Sequence, residues 1–149
     1  MKKSILTLCA LAAFAPATIS AHCQVPCGIY ADDNVIGKMH TDYETIEKAS
    51  KQIIELSKDP SKNAHQLNRW IINKEAHAQA IQTTVTDYFL AQRVKVGEAS
   101  TDKASYLKKV TSCHRLIVAA MKCKQSTDPK AVTELHNQLH VFESLFGKK

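Results

Sequence analysis

The stretch Lys124-Gln125-Ser126-Thr127-Asp128-Pro129-Lys130-Ala131-Val132 decides the fold. Asp128 carries the short acceptor side chain that a helix N-cap needs, and Pro129 suits a first turn, where its missing N–H is no loss. One helix therefore ends here and another begins after a few residues, which sets the two side by side and antiparallel. Beyond the break, Val132, Leu135, Leu139, Phe142 and Phe146 form an apolar stripe at helical spacing. Before it, Leu107, Val110, Cys113, Ile117 and Met121 do the same.

The same punctuation recurs towards the N-terminus. A first helix starts near Asp32 or Asp33 and runs to about Ser57, with Ile46, Ala49, Ile53 and Leu56 on one face. Asp59-Pro60 ends it and opens a second and longest helix, Ser61 to Lys95, striped by Leu67, Ile71, Ala78, Ile81, Val85 and Phe89. Gly97 stops that helix, and Ser100-Thr101-Asp102 offers caps for the third. With four glycines in all and no strand-like alternation, the chain reads as all-α. The prediction is an up-down-up-down four-helix bundle over about residues 32–147, preceded by an irregular N-terminal metal-binding hook at 22–30. Such a bundle is a scaffold and names no function.

The first 21 residues read as an export signal. Lys2 and Lys3 form the positive region, Ile5 to Ala15 the apolar one, and Pro16 to Ala21 a breaker with small residues. Cleavage is expected after Ala21, although Ile19 stands where a smaller residue is preferred. The apolar stretch is too short to span a bilayer, so no membrane anchor is expected after cleavage and the protein is exported, periplasmic or secreted. Removing residues 1–21 leaves a single domain, 22–149, with 18 basic against 14 acidic side chains, a net charge of +4. That mild excess, without long basic runs, argues against nucleic acid and suits a small anionic substrate.

Of five cysteines, Cys9 belongs to the signal and Cys23, Cys27, Cys113 and Cys123 remain. In an exported protein an even number first suggests disulfides, and Cys23 with Cys27 is one candidate pair. Cys113 and Cys123 lie ten residues apart on one helix. That places them roughly 15 Å apart, beyond disulfide reach, and they read as small buried hydrophobes. His114 beside Cys113 lacks a partner pair at zinc-finger spacing.

The chemistry concentrates in His22-Cys23-Gln24-Val25-Pro26-Cys27-Gly28-Ile29-Tyr30, which follows the expected cleavage point. Cleavage would give His22 a free α-amine. That amine and the Cys23 amide nitrogen form a five-membered chelate, the Cys23 thiolate adds a second ring, and Cys27 completes two nitrogens and two sulfurs. Square-planar N/S ligation selects Ni(II) or Cu(II) over zinc. The His22 imidazole can add an axial ligand, and anionic donors favour a Ni(III)/Ni(II) couple. Pro26 and Gly28 suit a tight turn of backbone around an ion.

This nine-residue run resembles the nickel-binding hook of the nickel superoxide dismutase family. Asn73-Lys74-Glu75, Asp87-Tyr88-Phe89, Gln92-Arg93-Val94-Lys95 and Met121-Lys122-Cys123-Lys124-Gln125 resemble it too, in order. The resemblance implies a four-helix bundle assembling as a homohexamer, with one nickel ion per subunit. The ion would be held by the His22 amine and imidazole, the Cys23 amide and thiolate, and the Cys27 thiolate. It also implies Tyr30 over the open face of the metal, guiding superoxide and peroxide by hydrogen bonding. Superoxide would be converted to oxygen and hydrogen peroxide through the Ni(III)/Ni(II) cycle. Lys74 or Lys95 is a candidate to steer the anion.

The chain also departs from that pattern. Lys38 stands where the family branch has a glutamate that holds the axial imidazole, which leaves Asp42 or Glu44 as candidate acceptors. His77 stands where that branch has an arginine, Gln24 where it has an acid, and Tyr88 falls near the site or a subunit contact. Trp70 has no assigned role. His136 and His140, spaced i,i+4, would bind a metal only with a nearby acid or third ligand, and the sequence points to none. Solvent exposure is the expectation for that pair. Two other functions remain consistent with the residues: an exported metal-binding bundle without turnover, and a structural bundle with a Cys23–Cys27 disulfide.

Overall fold

The computed structural model describes residues 32–147; the signal segment 1–21 and the hook 22–30 lie outside them. Helix α1 spans Asp32–Leu56. Asp59 then accepts the Lys62 N–H at 3.2 Å, and Pro60 opens helix α2, Pro60–Thr83. The backbone widens directly into a π-helical segment, Thr84–Arg93, and turns extended at Val94. A single turn, α3 (Glu98–Thr101), leads to α4, Lys103–Gln125, where the Asp102 carboxylate accepts the Ser105 N–H at 3.0 Å. Helix α5, Pro129–Phe146, starts with Asp128 accepting the Lys130 N–H at 2.9 Å. The aspartates at 59, 102 and 128 each satisfy an N–H that the first turn of a helix leaves without a partner.

Helix α1 packs on α2 and α5, and α4 packs on the same two, so each long helix touches its neighbours in the chain and the first touches the last. That is the up-down-up-down bundle. Among the described residues there is no strand, and no helix is long and apolar enough to cross a membrane. Phe89 lies at the centre of the core, edge-on to Phe142 at 4.6 Å and to Tyr88 at 4.9 Å between ring centroids. Met39, Ile46, Leu116 and Leu135 are likewise fully buried around it.

Three details differ from the sequence reading. The second helix does not run evenly to Lys95 and stops before Gly97. Its last ten residues are π-helical, and Val94 N–H bonds the Phe89 carbonyl at 3.0 Å, five residues back. On α4 the buried face is Ser112, Cys113, Leu116, Ala119, Ala120 and Cys123, while Leu107 and Met121 are exposed. Apolar residues surround α4 on more than one side, and the bundle takes the face whose small residues allow close approach. On α2, Ile71 is exposed, and no residue from Ile54 to Asn73 is buried. Among the described residues, the far part of the α1–α2 hairpin has no core of its own, and Ile71 and Ile72 face outwards there.

Candidate metal centre

His22, Cys23, Cys27 and Tyr30 lie outside the described residues. The structure gives the start of α1 and the residues of α1 and α2 singled out above. Asp32, two residues after Tyr30, ties the π-helical segment to α1. Tyr88 donates its hydroxyl to Asp32 Oδ1 at 2.7 Å, and Arg93 pairs with Oδ2 at 2.5 Å. An acid in a first helical turn is favoured by the helix dipole. Tyr88, itself buried, is thereby anchored close in sequence to Tyr30. Asp32 carried no signal in the sequence, because 56 residues separate it from Tyr88.

Asp42, one of the two candidate acceptors, faces α2 and is only 2% exposed. Oδ1 accepts from His77 Nδ1 at 2.7 Å, and Oδ2 takes the Lys38 ammonium at 2.9 Å from one turn earlier on α1. A carboxylate this buried is tolerable because both oxygens are satisfied by charge-assisted or polar partners. Glu44 is exposed. The bond to Asp42 fixes the His77 ring and directs its Nε2 away from that carboxylate.

Lys74, considered above for steering, is not free to steer. It is buried, and its ammonium donates to the carbonyls of Cys123, Lys124 (2.8 Å) and Ser126 (3.4 Å), with Glu75 at 3.4 Å. It satisfies the C-terminal carbonyls of α4, where the dipole favours a cation. Lys95 is exposed, with its Nζ on the Gln92 carbonyl at 2.5 Å.

Cys113 and Cys123 are free and buried, as their spacing indicates. Burial pushes each thiol up to about 11, although Lys74 pulls Cys123 slightly the other way. Both sulfurs are closed off from solvent within the core, where an ion has no access to them. His114 is exposed, turned away from its neighbour Cys113. Trp70 lies under the Lys48 ammonium, 5.9 Å from the ring centroid.

The expected solvent exposure of the histidine pair on α5 holds for His140 but not for His136, and the pair is not isolated. His136 is half-buried and stacks on Tyr43, and His140 has both an acid, Glu143, and a third histidine, His40 of α1, beside it. The spacing His136, His140, Glu143 put the acid one turn from the pair, but His40 comes from the opposite end of the sequence.

A family model described as nickel-containing superoxide dismutase matches residues 17–149. The chain belongs to that family. This nickel superoxide dismutase is an oxidoreductase whose cofactor is a nickel ion and whose substrate is superoxide. No curated protein and no solved structure matches it significantly. The match covers nearly the whole chain, the nine-residue hook sequence together with all the helices. The two cysteines within the bundle are free and buried in its core.

Proposed function

We propose that the dismutase holds one nickel ion per subunit at the N-terminus of its mature chain, on the His22 amine and imidazole, the Cys23 amide and thiolate, and the Cys27 thiolate. On this reading residues 1–21 are a signal peptide and residues 22–149 a single domain. The enzyme then works after export, in the periplasm or outside the cell. The observation that carries the assignment is the state of the other thiols. With Cys113 and Cys123 buried in the core of the bundle, Cys23 and Cys27 are the cysteines of the mature chain left to meet an ion from solvent. Two thiolates, an amine and a deprotonated amide form a donor set that fits nickel.

Nickel bound there would supply the redox chemistry, a Ni(III)/Ni(II) couple able to accept an electron from one superoxide and return it to a second, which would leave as hydrogen peroxide with two protons drawn from solvent. The chain's own residues bind and orient. The Tyr30 hydroxyl hydrogen-bonds the entering superoxide and the departing peroxide. Asp42, fixed by Lys38 and bonded to His77, would supply the negative charge that the family resemblance puts at position 38, and His77 would be its link to the His22 imidazole. Tyr88, held by Asp32, supports the segment that carries Tyr30. The mild positive charge of the mature chain favours approach of the anion.

The assembly we propose is a homohexamer. Ile54, Ile71 and Ile72 on the far part of the α1–α2 hairpin are exposed, and they offer an apolar face for a second subunit.

One experiment tests the ligand set. Placing a single alanine ahead of His22 in the mature protein moves the α-amine out of the chelate. Nickel content, measured by elemental analysis, and dismutase activity should both be lost. A variant with full nickel and full activity would overturn the assignment.

A further inference from the structure

Helices α1 and α5 bring together a set of ligands that the hook does not use. His40 Nε2 lies 3.2 Å from Glu143 Oε2, and His140 Nδ1 lies 3.3 Å from the same oxygen. One ligand atom from each of the three lies within 4.8 Å of the others. Two ligands on a tetrahedral zinc ion, each bonded at about 2.0–2.1 Å, are about 3.3–3.4 Å apart. The two edges that meet at Glu143 Oε2, 3.2 and 3.3 Å, are close to that length. We propose that His40, His140 and Glu143 form a second metal site, for a divalent transition ion of the zinc type, separate from the nickel hook.

The surroundings fit that assignment. A metal-bound histidine usually gives its second ring N–H to an acceptor that fixes its tautomer. His140 Nε2 has that partner, His136 Nε2, at 3.0 Å. His136 is itself held flat against the Tyr43 ring, with centroids 4.6 Å apart and planes inclined by 12°. His140 thus turns Nδ1 towards Glu143 and His40 while its far side is anchored. The three side chains are 26%, 55% and 45% exposed for His40, His140 and Glu143, so an ion can enter from solvent. Three protein ligands leave a fourth position for water. Two imidazoles and one carboxylate suit zinc, and copper binds such a set more tightly still. The ion would join the first helix of the bundle to the last.

The test uses untagged, nickel-loaded protein and zinc alone as the probe. Equilibrium dialysis should find one further ion per subunit. His140→Gln and Glu143→Gln should each lose it, and His136→Gln should weaken it about 10–100-fold by removing the anchor of His140. His65→Gln, an exposed histidine on α2 away from the cluster, should bind zinc as the parent does. A Cys23→Ser/Cys27→Ser protein, with the hook thiols gone, should keep the zinc site and lose nickel, so failure of this site is distinguishable from failure of the hook assignment. Circular dichroism checks that each variant keeps its helices. No zinc bound beyond the nickel, or undiminished binding in His140→Gln or Glu143→Gln, would overturn the proposal and leave the cluster a hydrogen-bond network.

Discussion

Two kinds of buried titratable group decide the residue-scale behaviour. Cys113 and Cys123 are raised to about 11 from an ordinary value of 9.0, chiefly by loss of solvent. A group whose folded pKa lies above its unfolded one contributes stability that is complete below the unfolded value and lost as pH rises through the folded one. Urea midpoints should therefore fall as pH climbs from about 9 towards 11, with these two thiols contributing. In the native nickel-loaded enzyme neither thiol should react with iodoacetamide at pH 8, and both should react in urea, as read by mass spectrometry. Asp42 is buried as well, but as a carboxylate with two polar partners. Asp42→Asn keeps the shape but removes the charge, and should cost about 1–2 kcal/mol in chemical denaturation. It should also lower activity about tenfold, whereas Lys38→Ala, which frees a largely exposed lysine, should change it less. The sequence offered Asp42 and Glu44 equally. Burial and the approach of α2 separated them.

At the scale of the helices, the starts and the breaks were legible, but not what holds a helix end in place or where the helix changes form. The N-caps at Asp59, Asp102 and Asp128 depend on one side chain and the amide two or three residues on, so local sequence suffices. The end of α4 depends on Lys74, 49 residues earlier, which supplies the donors for its last carbonyls. Lys74→Met leaves those carbonyls without a donor and should destabilise the protein by about 2–3 kcal/mol, measured by urea unfolding. Restoring a cation with Lys74→Arg should recover less than the full loss, because a planar guanidinium fits three converging carbonyls poorly. The π-helical turn was equally invisible. Thr84–Arg93 has an apolar pattern compatible with an α-helix, and its wider pitch accompanies the joining of Tyr88 and Arg93 to Asp32.

At the scale of the molecule, the far part of the α1–α2 hairpin leaves Ile54, Ile71 and Ile72 exposed. If this face joins subunits, Ile72→Glu should shift the enzyme to smaller species in sedimentation velocity while its helix content stays constant. An unchanged sedimentation coefficient would exclude the face from the assembly. The sequence by itself determined the four long helices and their antiparallel order, and it carries the donor set proposed for the hook, because periodicity, caps and residue identity are properties of neighbours in the chain. The tertiary structure decided which face of α4 is buried, that Lys74 holds a helix end, that Asp42 is buried between Lys38 and His77, and that His40 meets His140 and Glu143. Each of these depends on groups 35 to more than 100 residues apart meeting in space, or on which of several apolar faces packs best, and local spacing carries no record of either.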